Sequence, residues 1–210
     1  MRTLTKLAAI AATAAFWQSS VEALPFQNGS FENASFNPGV FTTLGNGNSS
    51  ITGWTVGTGS IDYIGTLWQA DDGARSIDLS GGTLGRISQT FDTVIGGDYR
   101  VIFALAGNVD GGPAIKTGTV SAGNAAQNFS FDATGFTRLN MGWIDVVFEF
   151  QAVAASTTLT FVSTTIDPNG PEFYGPALDN VRLSRVPEPM TLGLLGAGLF
   201  GVAGMRRRRK

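Results

Sequence analysis

Along residues 143–152 the chain alternates, with Val146, Phe148 and Phe150 on one side and Asp145, Val147 and Glu149 on the other. A period of two is the mark of a strand with one face on a core and the other toward water, the usual arrangement in antiparallel sheets. The same period returns at 157–164 with Leu159 and Phe161, and at 75–79, where polar and apolar residues alternate. At 99–105 it places Tyr99, Val101, Phe103 and Leu105 on one face. Shorter apolar segments at 40–44, 54–56, 60–64, 85–93, 114–122, 129–133 and 177–184 add further strand candidates. Glycine, asparagine and threonine mark the turns between them, a turn at Asn28 and Gly29 precedes the first, and the polar run 45–50 reads as a surface loop. Residues 65–73 have no clear period and read as irregular. No stretch between the two termini carries a helical period. Eight to ten strands without helices predict an all-β fold, an antiparallel β-sandwich of the jelly-roll type.

The termini break this pattern. Arg2 and Lys6 precede an apolar stretch at 7–17, and Val21-Glu22-Ala23 presents small residues where a signal peptidase reads, so residues 1–23 are expected to be a signal peptide. At the other end Pro187-Glu188-Pro189 is followed by an uncharged apolar run at 190–205 and by Arg206, Arg207, Arg208, Arg209 and Lys210. Sixteen residues span roughly 24 Å as a helix, somewhat short of a hydrocarbon core of about 30 Å, and the flanking cations can reach the headgroups. Residues 190–205 are therefore expected to be a transmembrane helix with the basic tail 206–210 on the cytoplasmic side. Residues 24–186 remain as one domain.

Charge changes the picture of that domain. Residues 24–186 hold seven cations against fourteen anions, so the domain is acidic although the whole chain is near neutral at −2. An acidic surface without clustered lysine or arginine excludes nucleic acid as a partner. Histidine and cysteine are both absent. That removes disulfides, Ser-His-Asp and Cys-His catalysis, and the usual zinc sites. Carboxylate-based glycoside hydrolysis survives the filter, but it needs two acids about 5–10 Å apart across a cleft, and no spacing selects such a pair. The domain is expected not to be an enzyme. The four Asn-x-Ser sites, at Asn28, Asn33, Asn48 and Asn128, read as turn and edge residues.

The tripeptide, apolar run and basic end, in that order, resemble the PEP-CTERM sorting signal of exopolysaccharide-producing Gram-negative bacteria. The resemblance implies processing by signal peptidase and by an exosortase, with Pro187, Glu188, Pro189 and Arg206 to Arg209 as the signal. It implies export through the inner membrane, transient anchoring there, and delivery to the cell surface or extracellular matrix. Asn28-Gly-Ser-Phe-Glu32, Gly53-Trp54, Ile61-Asp-Tyr-Ile64, Trp68-Gln69, Arg75-Ser-Ile-Asp-Leu79, Ile87-Ser-Gln-Thr-Phe91, Leu105-Ala-Gly-Asn108 and Gly175-Pro-Ala-Leu-Asp-Asn-Val181 resemble a choice-of-anchor C domain. That group is related to a plant cell-wall domain of unknown function and to galactose-binding-like jelly rolls. The galactose-binding-like resemblance implies one structural calcium ion, held by Glu32 and Asp179 with backbone carbonyls. Strand alternation independently puts Asp179 on one face with Ala177, Val181 and Leu183, where a carboxylate needs a partner or a metal. A turn cap, or a pair with Arg182 or Arg185, would serve as well.

A polysaccharide site is expected among aromatic and polar loop residues. Trp68, Phe173 and Tyr174 are candidates for stacking on sugar rings, with Asp71, Asp72 and Asn108 to accept hydroxyl hydrogen bonds. Core packing is the expected fate of Trp54 and Trp143. Binding of extracellular polysaccharide is thus one reading, and a structural or adhesive matrix protein without a defined ligand is the other.

Overall fold

The computed structural model describes residues 25–170 and 173–187. The expected signal peptide, the expected transmembrane helix, and the sorting residues Glu188, Pro189 and Arg206 to Arg209 lie outside the described residues. Among the described residues there are eleven strands and no helix: β1 (Phe41–Gly45), β2 (Thr55–Val56), β3 (Ser60–Ile64), β4 (Ser76–Asp78), β5 (Arg86–Asp92), β6 (Asp98–Gly107), β7 (Ile115–Ala122), β8 (Ala125–Asp132), β9 (Ile144–Gln151), β10 (Ser156–Ser163) and β11 (Pro176–Arg185). They form two antiparallel sheets, of order β1-β3-β4-β11-β6-β9 and β2-β5-β10-β7-β8. The expected sandwich is therefore the fold. Each strand falls on one of the segments that the sequence offers, and the count is one above the expected eight to ten because all of them form, β2 and β4 with only two and three residues.

The core is aromatic. Trp54 lies centrally, with Phe31 at 5.1 Å, Phe26 at 5.9 Å and Phe161 at 6.3 Å, and Phe103 bridges Phe161 and Phe129. Polar ends of buried rings are satisfied: the Trp54 indole donates to Asn28 O and the Tyr63 hydroxyl to Phe31 O. Both acceptors belong to the expected turn at Asn28, where Asn28 and Phe31 adopt positive φ of 53° and 59°. A bulky residue in that region is strained, and full burial of the Phe31 ring offsets the cost.

One expectation fails at β11. Ala177 and Asp179 face away from the core, opposite Ala106 and Ala104 of β6, while Leu183 faces into it beside Val101. The register shifts between Asp179 and Arg182, where Asn180 and Val181 of β11 oppose the single residue Phe103 of β6, and Asn180 takes a φ of 46°. This bulge inverts the alternation, so Asp179 does not share a face with Leu183.

Candidate functional site

The outer face of the six-stranded sheet is partly roofed by residues 65–75, 133–143, 164–170 and 173–175. Trp68 belongs to this roof. It is 5% exposed and its indole N–H donates to Ser76 Oγ at 2.9 Å. A ring enclosed in this way presents no face to a sugar, which corrects its assignment as a stacking platform. Trp143 is half-buried and its indole donates to Gln69 O, tying one roof loop to another.

The roof is incomplete. An open cleft of about 460 Å³ lies over β1, β3 and the ends of β4, β6 and β11. Strand parity brings Phe41 and Thr43 of β1 to its floor, and Asp62 of β3 pairs in register with Thr43. Thr43 donates its hydroxyl to Asp62 Oδ1 at 2.5 Å. Burial raises the Asp62 carboxyl above its ordinary value, and the Thr43 bond works against that. Phe173 and Tyr174 form one wall, edge to face at 6.4 Å. The Tyr174 ring packs against Gly111, where a Cβ would meet the ring at 2.1 Å, so any larger residue would displace the ring. Lys116 completes this seat: its ammonium is 5.9 Å from the ring centroid and donates to Gly111 O. Asp110 and Arg138 also line the cleft, joined by Nε to Oδ1 at 2.7 Å.

Beneath the cleft, Asp78 is fully buried and ties three of its walls together. Its Oδ2 accepts from Asn108 Nδ2 at 2.7 Å, and its Oδ1 accepts from the N–H groups of Ser80 and Gly175. Burial pushes the Asp78 carboxyl up to about 8, against these three hydrogen bonds. Asn108 in turn accepts from Asp110 N. Asn108 is 5% exposed with both ends of its amide engaged, so it braces the cleft wall more than it meets a ligand.

Of the expected ligand residues, Asn108, Phe173 and Tyr174 come together here, and Asp71 and Asp72 do not. Asp71 accepts from Asn180 Nδ2 and lines a separate polar depression of about 330 Å³ with Trp143, Asp145 and Arg182. Asp72 is exposed on the neighbouring turn. Sequence reasoning missed Phe41, Thr43, Asp62, Leu67, Gly81, Gly82, Asp110 and Arg138 as cleft residues. An exposed aromatic at the outward parity of an edge strand, as Phe41 is, was the one available signal.

Glu32 and Asp179 have a different task from the one expected. The N–H groups of Asp71 and Asp72 donate to Asp179 Oδ2, and that of Asn180 to Oδ1. The N–H groups of Ala74 and Arg75 donate to Glu32 Oε1, both at 2.7 Å. Two carboxylates thus hold the ends of the turn 71–75 across Gly73. A calcium ion is bound by oxygen atoms, and here N–H groups face these carboxylates, so the arrangement does not fit the ion. Among the described residues no group of three acidic side chains is placed to hold a metal.

Two stretches of the chain match known families. Residues 24–184 match the family described as protein of unknown function (DUF642), and residues 185–209 match the PEP-CTERM protein-sorting motif, which marks the chain for export to the surface or extracellular space. Halomucin of Haloquadratum walsbyi is 32% identical over 168 residues, covering 78% of this chain and 2% of that protein. The Arabidopsis thaliana protein DUF642 L-GALACTONO-1,4-LACTONE-RESPONSIVE GENE 1 is 29% identical over 178 residues, covering 76% of this chain and 45% of that protein. The chain thus spans less than half the length of either relative. Among solved structures, TmCBM61 in complex with β-1,4-galactotriose shares 14% identity at a TM-score of 0.47, covering 78% of this chain and 99% of its own. CBM35 from Paenibacillus barcinonensis shares 18% at 0.45, covering 68% and 98%. The chain belongs to the DUF642 family, with a PEP-CTERM sorting motif following its β-sandwich.

Proposed function

We propose that this is an exported, non-catalytic polysaccharide-binding protein, and that the cleft beneath Phe173 and Tyr174 is its glycan site. The observation that supports this is the composition of one cleft: the rings of Phe41, Phe173 and Tyr174 around the polar groups of Thr43, Asp62, Asp110 and Arg138. Sugars present apolar C–H faces that stack on aromatic rings and hydroxyls that bond carboxylates and guanidinium groups, so such a mixture suits them. Asp110 is held by Arg138 and Asp62 by the Thr43 hydroxyl, so both cleft acids already have partners, which favours binding over hydrolysis. Exosortase is the enzyme expected to process the tail, and the choice-of-anchor C group is the finer family reading. The competing role, a matrix protein without a defined ligand, predicts no specific glycan. A glycan array probed with the wild-type domain and with Tyr174→Ala tests the proposal. Specific signals that disappear in the variant support it, and a blank array or an unchanged variant refutes it.

A further inference from the structure

The end of the sandwich opposite the cleft carries three exposed aliphatic side chains. Val94, Ile95 and Val153 are 52%, 67% and 54% exposed. They stand on two turns that are laced together. Thr93 N donates to Ala155 O, Thr93 Oγ1 to Ala154 O, Gly96 N to Ala152 O, and Ala152 N to Gly97 O. Ordered apolar tips on a rigid frame are a different thing from a mobile loop, since burying them costs little further entropy.

The chain leaves the domain at this same end. The last residues of β11 pair with the first of β6, Arg185 opposite Tyr99, and Val186 N donates to Asp98 O. Tyr99 is also the acceptor for Val94 N, so the apolar turn and the exit point share a residue. From Val186 to Met190, where the uncharged run begins, there are four peptide steps, which reach at most about 14 Å.

We infer that Val94, Ile95 and Val153 are a seat on the lipid surface for as long as the tail is in the membrane. This rests on the sorting reading of the tail. The tether supplies a high effective concentration, so three aliphatic side chains suffice to fix an orientation although they would not recruit a free domain. The consequence concerns the cleft. Strand β6 runs from Asp98 at the seat to Gly107 at the cleft, about 30 Å at 3.3–3.4 Å per residue. A domain seated on these turns therefore holds its cleft away from the bilayer, toward extracellular polymer.

The chain has no cysteine, so single substitutions give clean labelling sites. Full-length protein carrying Ile95→Cys, Leu139→Cys or Leu195→Cys is labelled with an environment-sensitive fluorophore and reconstituted in phosphatidylethanolamine–phosphatidylglycerol vesicles. Leu139, 88% exposed beside Arg138, reports the cleft end, and Leu195 reports the tail. The expected result is a blue shift and protection from aqueous quencher at positions 195 and 95, and neither at 139. Protection at 195 without protection at 95 overturns the seat and leaves the tail reading standing. No protection at 195 overturns both. Protection at 95 without vesicles assigns the patch to a second copy of the chain and also overturns the proposal.

Discussion

Asp78 has no exposed surface and Asp179 none either, yet both are acids. Burial raises Asp78 to about 8 and Asp179 to about 7, in each case against hydrogen bonds from N–H groups. A carboxyl with a raised folded-state pKa stabilises the fold fully below its unfolded value, and that contribution is lost as pH rises toward the folded value. The domain is therefore predicted to lose stability between about pH 4 and pH 8, at up to about 1.4 kcal/mol per pH unit for each group. Denaturant melts across this window measure the slope, and Asp78→Asn should flatten it. A melting curve that rises with pH would contradict the assignment. Trp68→Ala and Tyr174→Ala should differ in kind. The first removes an enclosed ring and is predicted to cost about 3–5 kcal/mol of stability. The second removes a half-buried cleft wall and should leave the fold largely intact. Denaturation midpoints of the two variants decide whether Trp68 is roof or ligand site.

At the scale of elements, the turn 71–75 depends on two distant carboxylates. Replacing Glu32 or Asp179 by alanine leaves two or three N–H groups without their acceptors and is predicted to cost about 1–3 kcal/mol, with new proteolytic cleavage within 71–75 as the local sign. Because N–H groups occupy those oxygens, adding calcium or a chelator is predicted not to shift the melting temperature. A calcium-dependent rise would restore the metal. The strands themselves were legible where one face is apolar and the other polar, as in β9 and β10. β8 begins earlier than expected because Ala125, Ala126, Gln127 and Asn128 of this edge strand carry no apolar alternation to read. The bulge at Asn180 was invisible, since an extra residue changes parity without changing composition. That one residue turned Asp179 away from the core and placed it under the turn 71–75.

At the scale of the molecule, the cleft was hardly legible. Its residues come from β1, β3, the 65–75 loop, the turn after β4, the β6–β7 connection, the 133–143 loop and the approach to β11, and only the strand order β1-β3-β4-β11-β6 makes them neighbours. Phe173 and Tyr174 were found because two adjacent aromatics in a polar loop need a reason to be there. Phe41 gave only its outward parity on an edge strand, and Arg138 gave no comparable sign in one dimension. The same topology puts the cleft and the chain exit at opposite ends of β6 and β11, which separates ligand contact from attachment. Calorimetric titration with an array-positive oligosaccharide decides whether this cleft is the glycan site, using the wild-type domain, Tyr174→Ala, Phe41→Ala and, on the opposite sheet, Thr119→Ala. The account predicts saturable binding that weakens about tenfold or more, some 1.4 kcal/mol, in each aromatic variant and is unchanged in Thr119→Ala. Equal affinity in all four proteins, or loss only in Thr119→Ala, would contradict it.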